Sequence, residues 1–260
     1  MKHPFDEKRS PVIVNSIPKS GTHLLSSVVG SIPGFKFFGD FIASTPSRSL
    51  VEVAEGKIQT KLANLLPNEI VHCHLFYSPV LASAVLDLNL KHLLIVRDPR
   101  DILCSEVEYL THMAPWHAMH KHFKRLDNLK DRIALGIKGI QKEDTSIHYD
   151  RIGVRIGNYL GWLDDPRCFV VRYEDLNGEN KMATVRQIID HLVPETISSD
   201  ARQFIEAQVV ENTSPQRSHT FNKGAVGRWK RLLNEESKDL FKERAGDILV
   251  KLGYEDDDNW

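Results

Sequence analysis

Residues 11–29 read PVIVNSIPKSGTHLLSSVV, and this stretch decides the fold. PVIVN is a short apolar, β-branched run, the pattern of a strand buried on both faces. Pro18-Lys19-Ser20-Gly21 is a turn, and Thr22 to Val29 carries Leu24, Leu25, Val28 and Val29 at helical spacing. A strand running through a tight turn into a helix presents free backbone N–H groups at the helix N-terminus, where the helix dipole favours an anion. Lys19 adds a full positive charge, and Ser20 and Thr22 add hydroxyls, so the turn reads as a phosphate or sulfate cradle. It is not the triphosphatase loop, because G-x-x-x-x-G-K-[ST] is absent. An ordinary strand-to-helix turn with an exposed lysine is the alternative.

Outward from this unit, EIVHCHL (69–75), KHLLIV (91–96) and RCFVV (167–171) read as further strands. Helices are expected at 48–66, 79–88, 180–192, 198–209 and 236–251, with a mostly helical stretch at 113–165. Another helix opens at Asp98-Pro99, an N-cap followed by a proline at the first helical position, and runs towards His112. Residues 211–227 are polar and glycine-bearing, the composition of a loop, and the acidic C-terminal tail is expected to fray. Strands alternating with helices specify a three-layer α/β fold, a mainly parallel sheet covered on both faces. Ligands of such sheets bind beyond the carboxyl ends of the strands.

The 260 residues suit one domain over 1–260. A net charge of −1 gives no global basic field for nucleic acid or a membrane surface, so any anion site must be local. Cys73, Cys104 and Cys168 each sit in apolar runs and read as buried reduced thiols, not as a disulfide framework. The N-terminus MKHPFDEKRS has no apolar leader and no run is long enough to span a bilayer, so a cytoplasmic location is expected.

The strand ends carry the chemistry. Arg97 follows the 91–96 strand and can hold a phosphate bidentately, and Ser105 lies two turns into the next helix. The alternative is a structural Arg97–Asp101 ion pair with Ser105 as a core hydroxyl. His72 and His74 are two apart and project on one face of their strand. His74, at the carboxyl end, suits a general base for an alcohol, although a lone strand histidine is more often structural. Tyr173-Glu174-Asp175-Leu176 follows the 167–171 strand. Lys223-Gly224-x-x-Gly227-Arg228-Trp229-Lys230 is a basic loop able to close over phosphates, or else a solvated surface loop.

Taken in order, PKSGTHLL, VRDPRDILCS, RYEDL and KGAVGRWK resemble the motifs of sulfotransferases that use 3′-phosphoadenosine 5′-phosphosulfate (PAPS), and they span 18–230. The resemblance implies a parallel sheet of about five strands flanked by helices, related to the P-loop nucleotide kinases. It implies Lys19, Ser20, Gly21 and Thr22 around the 5′-phosphosulfate, with His23 beside them. Arg97, Ser105, Lys223 and the Gly224 amide would take the 3′-phosphate, and Tyr173 the adenine. Cys73-His74-Leu75 stands where the family has its catalytic histidine, which makes His74 the base and Lys19 the group that stabilises the leaving oxygen. Three positions depart from the family pattern. Leu24 replaces a tryptophan that would stack on adenine, with Phe204 a candidate substitute. Asn222 replaces an arginine, for which Arg217 or Arg228 could compensate. Arg228 also stands where an aspartate is usual.

The implied reaction moves a sulfuryl group from PAPS to a hydroxyl, or less commonly an amine, of a small acceptor. It releases adenosine 3′,5′-bisphosphate (PAP) and needs no metal. His112, His117, His120 and His122 crowd around Trp116 without the cysteines or ordered carboxylates of a metal site. Phe76, Tyr77, Met113, Trp116 and Tyr149 are the expected acceptor-lining residues. The compact form resembles bacterial enzymes that tailor secondary metabolites, alkaloid toxins included. Competing readings are a small-molecule kinase, a non-catalytic nucleotide-binding relative and a heparan-type carbohydrate enzyme. Oligomeric state is open, a homodimer included.

Overall fold

Every residue of Val12–Ser16 (β1) is buried, as a central strand covered on both faces requires. The other strands are Lys36–Ala43 (β2), Glu69–His74 (β3), Lys91–Val96 (β4) and Cys168–Arg172 (β5). They form one parallel sheet in the order β2-β3-β1-β4-β5. The computed structural model describes residues 8–140, 148–193, 197–213, 225–257 and 259–260. The chain divides into two compact units, Met1–Ser44 with Ala54–Val96 and Gly161–Gly224, and Thr45–Val53 with Arg97–Leu160 and Ala225–Trp260.

The sheet belongs to the first unit. Val12, Val14, Ile70, Leu93, Ile95 and Val171 point to one face and share a core with Leu25, Val28 and Val29 of the helix Thr22–Gly30. Helices Lys181–Leu192 and Ser199–Asn212 close that core through Ile188, Ile189, Ile205 and Val209. On the opposite face Ile13, Val71 and Leu94 are equally buried. The strand order places β1 at the centre, so the turn after it and the ends of β3 and β4 beside it are neighbours. The expected α/β sheet flanked by helices is therefore present.

β2 was not anticipated. KFFGDFIA carries a lysine, an aspartate and a mid-strand glycine, and lies at the sheet edge, where neither face need be apolar. Gly39 adopts φ 99° where the β2–β3 register shifts, which breaks the alternation that marks a strand. The helix expected over 48–66 is only Glu55–Ala63. Residues 46–50 instead form a turn in which the Ser49 and Leu50 amides donate to the Pro46 carbonyl and Leu50 takes φ 52°.

In the second unit, Asp98 caps the helix Pro99–His112 by accepting from the Arg100 amide at 2.9 Å, as its sequence predicts. Helices His120–Lys124, Leu129–Lys138 and Ile152–Gly157 account for part of 113–165, and Glu235–Lys251 closes the unit. The tail is docked instead of frayed. Arg100 is buried, pairs with Asp98 at 2.8 Å and with Glu255, and lies between the Trp229 and Trp260 rings at 3.7 and 4.4 Å. A desolvated guanidinium stacked on two indoles explains why a charged tail orders. No helix among the described residues is long and apolar enough to cross a membrane.

Candidate functional site

The turn after β1 is held in an uncommon backbone shape. Lys19 adopts φ 71° and Gly21 φ 114°. A Cβ on Gly21 would lie 2.5 Å from Cδ2 of Tyr173, so both the backbone angle and the close approach of that ring require glycine. Ser20 is fully buried. Its amide donates to Ile17 O at 3.0 Å, and its hydroxyl lies 2.6 Å from Ile17 O and 2.8 Å from Ile95 O. The sequence suggested Ser20 as an anion donor; here its hydroxyl fastens the turn to the end of β4. The Leu24 and Leu25 amides both donate to Gly21 O. The earlier amides of this helix have no intrahelical acceptor, and Gly21 supplies no side-chain cap. Lys19 and the Thr22 and His23 amides thus make one electropositive lip.

His74 ends β3 beside that lip. Its Nδ1 lies 2.8 Å from Ser16 O and 3.0 Å from Ser16 Oγ. A carbonyl can only accept, so Nδ1 carries the proton and Nε2 keeps its lone pair. Asn15 fixes the residue that follows, its amide group donating to Leu75 O at 3.1 Å and accepting from Leu75 N at 2.9 Å. Burial lowers the His74 pKa to about 4, against hydrogen bonds that favour the charged form, with His72 and Lys19 adding repulsion. The imidazole is therefore neutral at pH 7. His72 also falls to about 4 through burial and the nearby His23; its Nε2 meets Ser26 Oγ.

Sequence reading missed the aromatic wall over these histidines. Phe37 stacks on His72 at 4.2 Å, and Phe41 meets the His74 ring edge-on at 4.9 Å. Both remain about half exposed, at 48% and 47%. The signal was present in KFFGDF, but only a strand assignment would have aligned it with β3. Of the other expected lining residues in this unit, Tyr77 packs edge-on against Trp162 at 5.2 Å and Phe76 donates its amide to Ser44 Oγ at 2.9 Å. Leu24 packs against the core, and Phe204 is exposed.

Arg97, Ser105, Met113, Trp116, Tyr149 and Arg228 belong to the second unit. Arg97 is buried, donates to Ala225 O at 3.3 Å and lies 3.8 Å from Asp101. Asp101 is more tightly held by the Gly227 and Trp229 amides, at 2.7 and 3.0 Å. The ion-pair alternative thus holds geometrically, and the same two residues anchor the chain just after Lys223-Gly224. Lys223, Gly224, Asn222 and Arg217 lie outside the described residues. Arg228 pairs with Glu108 at 2.7 Å. Ser105 is part-buried within its helix. Met113 and Trp116 are exposed, whereas Tyr149 is buried with the Arg155 guanidinium 4.1 Å above its ring. His120 Nδ1 bonds to Leu110 O at 2.8 Å, His117 Nδ1 accepts from the Met119 amide at 3.0 Å, and His122 meets Arg125, so these three have separate structural partners.

His92 gives the first unit an acid sensitivity. It is 1% exposed in β4, with its ring 4.4 Å from Trp162, and burial lowers its pKa to about 3. The unfolded chain protonates His72, His74 and His92 near the ordinary value, about 6.5. Below that pH the unfolded state binds more protons, so stability is intact above about pH 7 and falls as pH drops towards 4. His74 and His92 each contribute up to about 1.4 kcal/mol per pH unit within that window, and the more exposed, solvent-screened His72 contributes less. Thermal unfolding should show a clearly lower Tm at pH 5.5 than at 7.5, with part of the drop removed in His92→Leu. A flat Tm would contradict this.

A family model described as the sulfotransferase domain matches residues 9–252. Sulfotransferase 6B1 of Mus musculus is 24% identical over 96% of this chain and 82% of its own length. Its Danio rerio counterpart is 27% identical over 90% and 76%. Mouse sulfotransferase SULT7A1 complexed with PAP superposes with a TM-score of 0.62 at 19% identity, covering 96% of this chain and 91% of that one. Retinol dehydratase, solved in complex with androsterone and inactive cofactor PAP, gives 0.59 at 15% identity over 96% and 82%.

Proposed function

The chain belongs to the sulfotransferase family, and on that premise we propose that it carries a sulfuryl group from PAPS to the hydroxyl of a small, largely apolar acceptor, with His74 as the base. Membership makes it a PAPS-dependent sulfotransferase enzyme. The residues of the turn fit that co-substrate. A turn kept tight by a glycine packed under the Tyr173 ring, with Lys19 and helix-start amides beside it, has the chemistry of a phosphosulfate site. Lys19, Gly21, Thr22 and His23 would hold the 5′ end, and Tyr173, beside Gly21, the adenosine. Ser20 holds the turn. Arg97 and Ser105, with Lys223 and Gly224, would take the 3′-phosphate. Bound PAPS supplies the activated sulfuryl group and a phosphate leaving oxygen.

The single observation that carries the reading is the His74–Ser16 carbonyl contact, which leaves Nε2 as an acceptor in a neutral ring. His74 takes the acceptor's hydroxyl proton at Nε2 as that oxygen bonds to sulfur. Lys19 and the adjacent amides stabilise the charge that grows opposite. Catalysis is otherwise positioning, as in phosphoryl transfer. An enzyme without nucleic-acid or membrane-surface partners suits the near-zero net charge, and a cytoplasmic location is part of the same reading.

The acceptor class follows from Phe37 and Phe41, whose exposed faces beside the base favour a flat or ring-bearing alcohol. Hydroxylated secondary metabolites, alkaloids among them, are suitable trial acceptors. Phe41→Ala should raise acceptor KM about tenfold, the scale of a partly covered aromatic face, with KM for PAPS unchanged. Equal changes in both constants would remove Phe41 from the acceptor site. The reading itself is tested with labelled PAPS against a panel of hydroxylated metabolites, and with thermal shift by PAP and ATP. Stabilisation by PAP and label transfer are expected; stabilisation by ATP alone would favour a kinase.

A further inference from the structure

The geometry points to Ser16 as a positioning residue that links His74 to Thr22 through a one-way chain of hydrogen bonds, so that proton uptake at the base and charge stabilisation at the cradle rise together. This inference rests on His74 being the base. Ser16 is fully buried at the carboxyl end of β1, paired in register with Ile95 of β4. Its Oγ lies 3.0 Å from His74 Nδ1 and 2.7 Å from Thr22 Oγ1. Its own carbonyl lies 2.8 Å from the same Nδ1.

The direction of the chain follows from donor arithmetic. The Ser16 carbonyl fixes the proton on Nδ1, so the imidazole can only donate on that side and Ser16 Oγ can only accept from it. The single Ser16 O–H then has two choices, Thr22 Oγ1 at 2.7 Å or Cys73 O at 3.4 Å, and the shorter is favoured. Thr22 Oγ1 thereby accepts a hydrogen bond from Ser16 and keeps its own O–H for an acceptor at the mouth of the helix. Every bond polarises the next in the same sense. When Nε2 takes a proton, the Nδ1–H donation to Ser16 strengthens, Ser16 donates more strongly to Thr22, and Thr22 donates more strongly to the anion. No covalent bond changes within the chain, and each proton stays on its own atom.

The charged and titratable groups around His74 are Lys19 from the turn and His72 from its own strand, with Phe41 of β2 contributing an uncharged ring edge. Neither group can substitute for a buried hydroxyl that both accepts from Nδ1 and donates to Thr22. The backbone carbonyl of residue 16 survives any side-chain change there, so Ser16→Ala cuts the chain while leaving His74 its tautomer.

The experiment is a double-mutant cycle on kcat with Ser16→Ala and Thr22→Val, with Ser16→Thr as the conservative variant. PAP affinity is measured for each, and the pH dependence of kcat is recorded. Thermal unfolding confirms that each variant folds. Ser16→Ala should lower kcat about tenfold, the scale of one hydrogen bond, with PAP affinity within about threefold. The acidic limb should move to lower pH, because the imidazolium has lost an acceptor. Ser16→Thr should restore both. The double variant should be no slower than the slower single one. Multiplicative effects, or an acidic limb that stays in place, would overturn the chain while leaving His74 as the base. Full activity of His74→Ala would overturn the underlying reading instead.

Discussion

Replacing His74 with alanine should lower the rate of sulfuryl transfer by about 10²–10⁴, the range for losing a general base, while PAP binds almost as before. The asymmetry follows from what the ring touches. His74 bonds to Ser16 and meets Phe41, and its reactive Nε2 is on the side away from the Ser16 carbonyl. Alanine therefore removes the proton acceptor and leaves the turn from Ile17 to Gly21, with its Ser20 anchors, in place. Single-turnover rates with labelled PAPS give the first quantity, and calorimetric titration with PAP gives the second. Retained turnover would exclude His74 and turn attention to His72, whose Nε2 is already engaged by Ser26. A loss of PAP affinity matching the loss of rate would mean that His74 shapes the cradle instead of acting on the acceptor.

How much of this was legible in the sequence depended on whether chemistry and periodicity coincided. PVIVN-SIPKSGT was readable because a fully buried strand, a glycine forced to φ 114° and a helix start each leave a compositional mark. Asp98-Pro99 was readable for the same reason, since a cap favours a short polar side chain such as aspartate and a first turn tolerates proline. β2 left no such mark, because an edge strand with a register shift has no alternation to detect. Phe37 and Phe41 were lost with it. Ser20 looked like a ligand donor because a hydroxyl in a phosphate turn usually suggests one. Only the distances to Ile17 O and Ile95 O reveal its anchoring role. The tail misled in the opposite way: four acidic residues near the terminus suggest solvent, and Arg100, the partner that holds Glu255, is distant in sequence.

Lys19→Ala should reduce turnover by about 10²–10³, the cost typical of removing one donor aimed at developing charge, with PAP affinity falling less than tenfold. The backbone permits the test. Lys19 already sits at φ 71°, a left-handed angle that costs alanine no more than lysine, so the turn should keep its shape. The ground-state phosphate would retain the Thr22 and His23 amides. The ammonium matters most where charge appears as the sulfur–oxygen bond opens. A second consequence separates this from a general loss of fold. Lys19 repels the charged forms of His23 and His74, so its removal should raise both pKa values. The acidic limb of kcat should move to higher pH in Lys19→Ala, opposite to the shift expected for Ser16→Ala. Equal losses in PAP affinity and turnover, with an unmoved acidic limb, would make Lys19 a binding group and leave the growing charge to the helix amides alone.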